Sequence, residues 1–239
     1  INQISSIDLF PNANSEFWID DVCYDYQPAM LDPLNAQIST IDAITGLVGQ
    51  QKEPTVNIRN FGQNAITSFD VTVDYNGYQV TENLTGLNLT SLQTYQVNFS
   101  NQITLATGTL PVTAYIYNIN GGLIQNTADD TLSISVTGTY AAPGKIVIGE
   151  EGTGTWCSWC PRGAVAMNWM DEKYYGYWQG IAVHNNDPMV NTDYDVGMGA
   201  LTSGYPSGLV DRGSDIDPSN FEVDFLQRIG ITPKATMNA

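Results

Sequence analysis

Residues 153–161 read Thr153-Gly154-Thr155-Trp156-Cys157-Ser158-Trp159-Cys160-Pro161, and the reading of this stretch decides the second half of the chain. Two cysteines two residues apart serve two common chemistries. Half of a zinc site needs a further Cys or His pair. The chain offers only Cys23 and His184, in distant segments, so no metal and no cofactor are expected. The other chemistry is a dithiol at a helix N-terminus. Pro161 opens a helical stretch there, and its free N–H groups and dipole favour the thiolate of Cys157. Cys160, one turn on, is placed to attack a mixed disulfide from within. The same pair also closes as an inert disulfide stapling loop to helix in an oxidising compartment. Both readings stand on the residues alone.

Working outward, Lys145-Ile146-Val147-Ile148 and Gly180-Ile181-Ala182-Val183-His184 read as buried strands. Leu209-Val210 continues them, and Asp217-Pro218 opens a last helix running through Arg228. Strands alternating with helices make residues 143–231 an α/β unit. Asp187 to Ser203 is poor in helix formers. His184 is read as a packed or edge histidine rather than a catalyst. Tyr174, Tyr175, Tyr177 and Trp178 are read as core or a lid rather than a ligand platform. Asp193, Asp195, Asp215 and Asp217 could attract Ca²⁺, but no Asp-x-Asp-x-Asp-Gly loop is present.

Trp156 before the first Cys, Pro161 after the second, and Gly204-Tyr205-Pro206-Ser207 ahead of Gly208-Leu209-Val210 resemble the thioredoxin superfamily. The string from Ile148 to Cys157, with Val210-Asp211-Arg212, is most similar to the thioredoxin-like outer-membrane and surface proteins of Bacteroidota. The resemblance implies an α/β thioredoxin-like domain with a shortened C-terminal sheet. It implies Cys157 as nucleophile, Cys160 as resolving thiol, and Glu151 as a buried carboxylate taking the proton of Cys160. Pro206 would be a cis proline holding substrate backbone, with Trp156, Trp159 and Tyr205 around the bound protein. For Glu151 a solvated loop carboxylate is the competing reading.

Residues 29–142 read as all-β. Val56–Asn60, Ile66–Tyr75, Tyr78–Glu82, Tyr95–Phe99, Val112–Tyr117 and Thr131–Val136 alternate apolar and polar residues, with turn residues between them. Asn76-Gly77 is a two-residue hairpin signal and Asn120-Gly121-Gly122 a second. About seven strands in about 100 residues predict an immunoglobulin-like sandwich, which resembles bacterial cell-surface Ig-like modules. Asp130-Thr131-Leu132 resembles the short O-glycosylation site of exported Bacteroidota proteins.

Residues 1–28 resemble the last strand of an extracellular jelly-roll module, through Phe17-Trp18-Ile19-Asp20-Asp21-Val22. A strand packed on the next domain reads equally well. Cys23 either pairs outside the chain or is a buried thiol. Residues 232–239 are read as a linker or the start of a next module. The chain is thus read as a trimmed piece of a longer exported protein.

Charge narrows the partners. Among 239 residues, 25 are acidic and 8 basic, for a net −17. Such a surface repels phosphates, so no nucleic acid is expected. No apolar run is long enough to span a bilayer. The expectation is an extracellular, cell-surface or outer-membrane protein, whose partners are a protein disulfide substrate or redox partner and neighbouring modules of a longer chain. Self-assembly through edge strands is held beside these. Two functions follow: thiol–disulfide exchange through Cys157 and Cys160, or a non-catalytic surface structural or adhesion protein with a structural disulfide.

Overall fold

The computed structural model describes residues 31–122 and 126–234. The strand expected within residues 1–28, with Cys23, and residues 235–239 lie outside the described residues. The strands of the first half are β1 (Ala36–Ile41), β2 (Gly46–Leu47), β3 (Gln51–Lys52), β4 (Thr55–Asn60), β5 (Phe69–Tyr75), β6 (Tyr78–Leu84), β7 (Thr94–Asn98), β8 (Ile103–Thr104), β9 (Gly108–Tyr117) and β10 (Thr131–Thr139). One sheet has the order β1-β4-β7 and a second the order β2-β10-β9-β5-β6; β3 and β8 form a short ribbon.

Period-two alternation explains how the sheets pack. Phe69, Val71, Val73 and Tyr75 of β5 and Val112, Ala114 and Ile116 of β9 turn the same way. They share one core with Ala36 and Ile38 of β1, Val56 and Ile58 of β4, and Val97 of β7. The result is a two-layer, Ig-like β-sandwich. At the β5–β6 hairpin, Asn76 and Gly77 both take positive φ, 54° and 81°. That pair of dihedrals is what a tight hairpin with the native strand twist requires.

Three details depart from expectation. Strand β5 begins at Phe69, because Ile66 leaves the sheet to bridge Leu89. Asn120-Gly121-Gly122 is not a tight hairpin: Ile119–Gly121 is a 3-10 turn. The Asn120 side chain accepts from the Thr67 and Ser68 amides and donates to the Ala65 carbonyl, which fixes that turn against the start of β5. Strand β1 carries a bulge between Ile38 and Thr40 that interrupts the alternation by which a strand is recognised.

The second half contains β11 (Val147–Thr153), α1 (Pro161–Lys173), β12 (Trp178–His184), α2 (Thr192–Gly199), β13 (Ser207–Val210) and α3 (Phe221–Arg228). Strand β11 is central, parallel to β12 and antiparallel to β13. On one face, Val147, Trp178 and Val210 pack with Met167, Met170 and Tyr174 of α1 and Phe221 and Phe225 of α3. On the other, Val183 and Leu209 pack with Met198 of α2. A Cβ on Gly149 would lie 1.9 Å from the Trp178 ring, so only glycine lets the indole lie across β11.

Helix α2 falls in the stretch read as poor in helix formers. The Asn191 side chain accepts from the Tyr194 amide, and Asp193 and Asp195 sit in the first turn, where acidic groups are favoured. Beyond β13 the sheet ends almost at once. Ile216 returns to make a single bridge with Gly208, so the described sheet has three strands.

The two halves share contacts. Leu47 of β2 belongs to the core around α1 and α3. Glu222 of α3 accepts from Thr45 at 2.8 Å and Lys173 at 2.6 Å, and from the Tyr174 hydroxyl. The Ala142 amide donates to the Ile229 carbonyl.

Candidate functional site

Chain direction brings the expected residues to the C-terminal end of β11. Cys157 and Cys160 are joined in a disulfide, with a Cα–Cα distance of 5.5 Å. Cys160 is the N-cap of α1, Pro161 its first residue, and Cys157 lies in the preceding turn. Cys160 is 3 % exposed and Cys157 half-buried.

The loop ahead of Cys157 is held from outside. Asp187 accepts from the Thr155 amide at 2.9 Å, from the Met189 amide at 2.9 Å, and pairs with His184 Nδ1 at 2.7 Å. Burial works against the Asp187 charge, but the His184 ring and these amides outweigh it and hold the carboxyl down at about 2. Trp156 Nε1 donates to the Asn185 carbonyl at 2.7 Å. A Cβ on Gly154 would stand 2.6 Å from that indole nitrogen. Sequence reading missed Asp187 and Asn185; their signal is spacing, since Asp187 follows His184 by three residues.

Trp156, 52 % exposed, meets Tyr205 edge-on with ring centroids 5.3 Å apart. The Tyr205–Pro206 peptide bond is cis and Pro206 is buried. Burial and the Asp195 carboxylate raise the Tyr205 hydroxyl above its usual range. Pro206, Ser203, Asp215 and Asp217 line an open cleft of about 370 Å³. Trp159 is 72 % exposed and makes no aromatic pair among the described residues, so it is not gathered with Trp156 and Tyr205.

Glu151 is not a solvated loop carboxylate. It sits in β11, 1 % exposed, facing the first turn of α1, where a Cβ on Gly163 would lie 2.0 Å from Glu151 Oε1. Oε1 has no hydrogen-bond partner among the described residues. Burial raises this carboxyl to about 7, against smaller opposing effects from His184 and the Thr153 hydroxyl. Its neighbour Glu150 faces the other way, accepting from Tyr194 at 2.5 Å and pairing with Arg212 at 2.7 Å.

Other candidates resolve more simply. Tyr174 and Trp178 are core, their rings tilted against those of Phe225 and Phe221, whereas Tyr175 and Tyr177 are exposed. Asp195 is engaged by Asn185, Asp215 by Ser203, and Asp217 by Ser219 and Arg162. These carboxylates are used by protein donors rather than gathered around a cation.

No family model and no curated protein matches the chain. Among solved structures, the chain is similar to the CARDB domain of the PF1109 protein of Pyrococcus furiosus in complex with di-metal ions, at 18 % identity and TM-score 0.35, over 48 % of this chain and 99 % of that one. It is also similar to a domain of a putative cell surface protein of Methanosarcina acetivorans, at 22 % identity and TM-score 0.37, over 46 % and 93 %. The PapD-like domain 7 of human CEP192 aligns at 10 % identity and TM-score 0.25, over 53 % and 99 %.

Neither a family model nor a curated relative supports the thioredoxin-superfamily resemblance drawn from residues 143–231, and the solved structures above are described as CARDB, cell-surface-protein and PapD-like domains. That assignment, with the Bacteroidota family within it, is corrected. A Cys-x-x-Cys ahead of a helix and a buried proline loop are short local signals. The sheet they sit on here has three described strands.

Proposed function

We propose that the chain is a structural piece of an exported cell-surface protein, in which the Cys157–Cys160 disulfide fastens the β11–α1 loop. The observation that carries this reading is how the loop is engaged. The disulfide is formed, Cys160 is buried, and the residues ahead of it are pinned by Asp187 and Asn185. Positive charge beside a cysteine adds to what a helix N-terminus does for its thiolate. Here His184 is committed to Asp187 and Arg162 to Asp217, within a chain of net charge −17. A lasting disulfide fits an oxidising compartment, and one structural neighbour is itself described as a putative cell surface protein. We take residues 29–142 and 143–231 as the two building units, with Glu222 and Leu47 at their junction.

The test is the stability of the oxidised and reduced chain. A short staple of this kind contributes about 2 kcal/mol through the unfolded state. Reduction should therefore lower the melting temperature, and the Cys157→Ser/Cys160→Ser variant should melt with the reduced protein. A reduced form that melts at or above the oxidised form would sink the reading.

One observation favours thiol–disulfide exchange as a second reading. Glu151 is buried without a partner for Oε1, against the first turn of the helix that Cys160 caps, and its raised pKa suits proton transfer near neutrality. In that reading Cys157 attacks, Cys160 resolves, Glu151 takes the proton, and Pro206 with Trp156 and Tyr205 forms the protein-facing edge. Glu151→Gln would then slow glutathione exchange of the reduced chain by tenfold or more, an effect on the order of general-base loss.

A further inference from the structure

A second site lies in the sandwich, where β1 and β10 begin. Asn35 directly precedes β1, and Asp129 and Asp130 directly precede β10. Asn35 is 1 % exposed and Asp130 7 % exposed. Three side-chain oxygens here, Asn35 Oδ1, Asp129 Oδ1 and Asp130 Oδ1, are buried and have no hydrogen-bond partner among the described residues. Buried polar atoms without partners are rare in native proteins, and three in one corner point to a missing electrophile. Asn35 Nδ2 donates to Asp129 Oδ2 at 3.2 Å, which joins these two side chains. The backbone is fixed as well: the Ile38 amide of β1 donates to the Asp129 carbonyl, and the Ile116 amide of β9 to the Asp130 carbonyl.

Neither Asp129 nor Asp130 has a Lys, Arg or His ion-pair partner among the described residues. Water would satisfy the oxygens but leave two neighbouring carboxylates in a buried corner. A cation answers both demands, and a donor set made only of oxygen selects a hard divalent ion. We propose that Asn35, Asp129 and Asp130 form a Ca²⁺ site that ties the entry to β1 against the loop entering β10. The ion would join the two sheets of the sandwich where the chain arrives from residues 31–34. With few protein ligands, the affinity belongs in the range of extracellular modules, Kd on the order of 10⁻⁴ M.

The experiment measures thermal melting and calorimetric Ca²⁺ binding of the full chain, at neutral pH, after chelation and dialysis. The wild type should melt higher as Ca²⁺ rises past Kd, since a ligand bound only to the folded state stabilises it by mass action. Asp129→Asn and Asp130→Asn should lose that rise while melting no lower than wild type in chelator. Asn35→Asp should melt lower in chelator and recover with Ca²⁺. Two outcomes would overturn the proposal. One is no binding and no shift in the wild type with Ca²⁺, Mg²⁺ or Mn²⁺. The other is an equal Ca²⁺ shift in wild type and all three variants, which would assign the effect to the acidic surface at large.

Discussion

Glu150 and Glu151 are consecutive on β11 yet lie on opposite faces of the sheet, one in an ion pair and one with an oxygen that has no partner among the described residues. Glu150 meets Arg212 and Tyr194 beside α2, whereas Glu151 Oε1 meets no donor among the described residues beneath α1. Strand alternation alone causes the split. Because Glu151 is held at about 7 when folded, against a usual 4.5, the folded state retains a proton that the unfolded chain releases. Stability from this group therefore falls as pH rises from about 4.5 to about 7 and is flat above. Glu151→Gln should melt like wild type near pH 4 and above it near pH 8, as calorimetry across that range would record.

Arg212 gives the opposite case. Its guanidinium is half-exposed, but the Glu150 carboxylate that it meets is 2 % exposed. Arg212→Ala leaves that charge buried without its cation. A fully buried pair broken in this way costs 3–5 kcal/mol, and exposure of the arginine scales this to about 2 kcal/mol. Urea unfolding at neutral pH should show the loss, with an unchanged m-value.

Gly163 and Glu151 should be coupled. Gly163→Ala puts a methyl 2.0 Å from Glu151 Oε1, and overpacking of this kind costs about 1–3 kcal/mol. In a Glu151→Ala background most of that cost should vanish, so a double-mutant cycle read by denaturant unfolding gives an interaction term nearly equal in size, and opposite in sign, to the cost of Gly163→Ala alone. An additive result would mean the carboxylate can swing clear.

Glu222 joins the sandwich to the helices. Burial opposes its charge, but the bonds from Lys173, Tyr174 and Thr45 outweigh burial and hold its pKa below the usual 4.5. Its contribution is present above the unfolded pKa and is lost as pH falls through the lower folded value. Thr45→Ala and Glu222→Gln should show a coupling of about 1 kcal/mol at neutral pH, shrinking in strong acid.

What could be read from the sequence was local. Asn76-Gly77 carried its turn in its own dihedral preferences, and the runs in β4, β5 and β9 carried their faces in their alternation. Helix α2 was hidden because its cap, Asn191, and its acidic first turn outweigh two glycines only once Met198 and Tyr194 have a sheet to pack on. The Glu222 junction was out of reach, since Thr45 and Glu222 stand 177 residues apart. The Cys-x-x-Cys motif, which closes as a disulfide, was over-read as a family, because a motif of nine residues fixes a turn and not a fold. Asp130 passed as part of a glycosylation-like string and Asp129 was not singled out, since their partners lie on β1 and β9, far away in sequence.

We propose the Cys157–Cys160 disulfide as a fastening rather than a working redox centre. The most direct measurement is a redox titration of the intact chain in graded dithiol buffers, with alkylation and mass counting of Cys157 and Cys160. A midpoint below about −300 mV is expected of a structural disulfide. A reversible midpoint between about −120 and −270 mV, the span of the disulfide-exchange proteins, would contradict it.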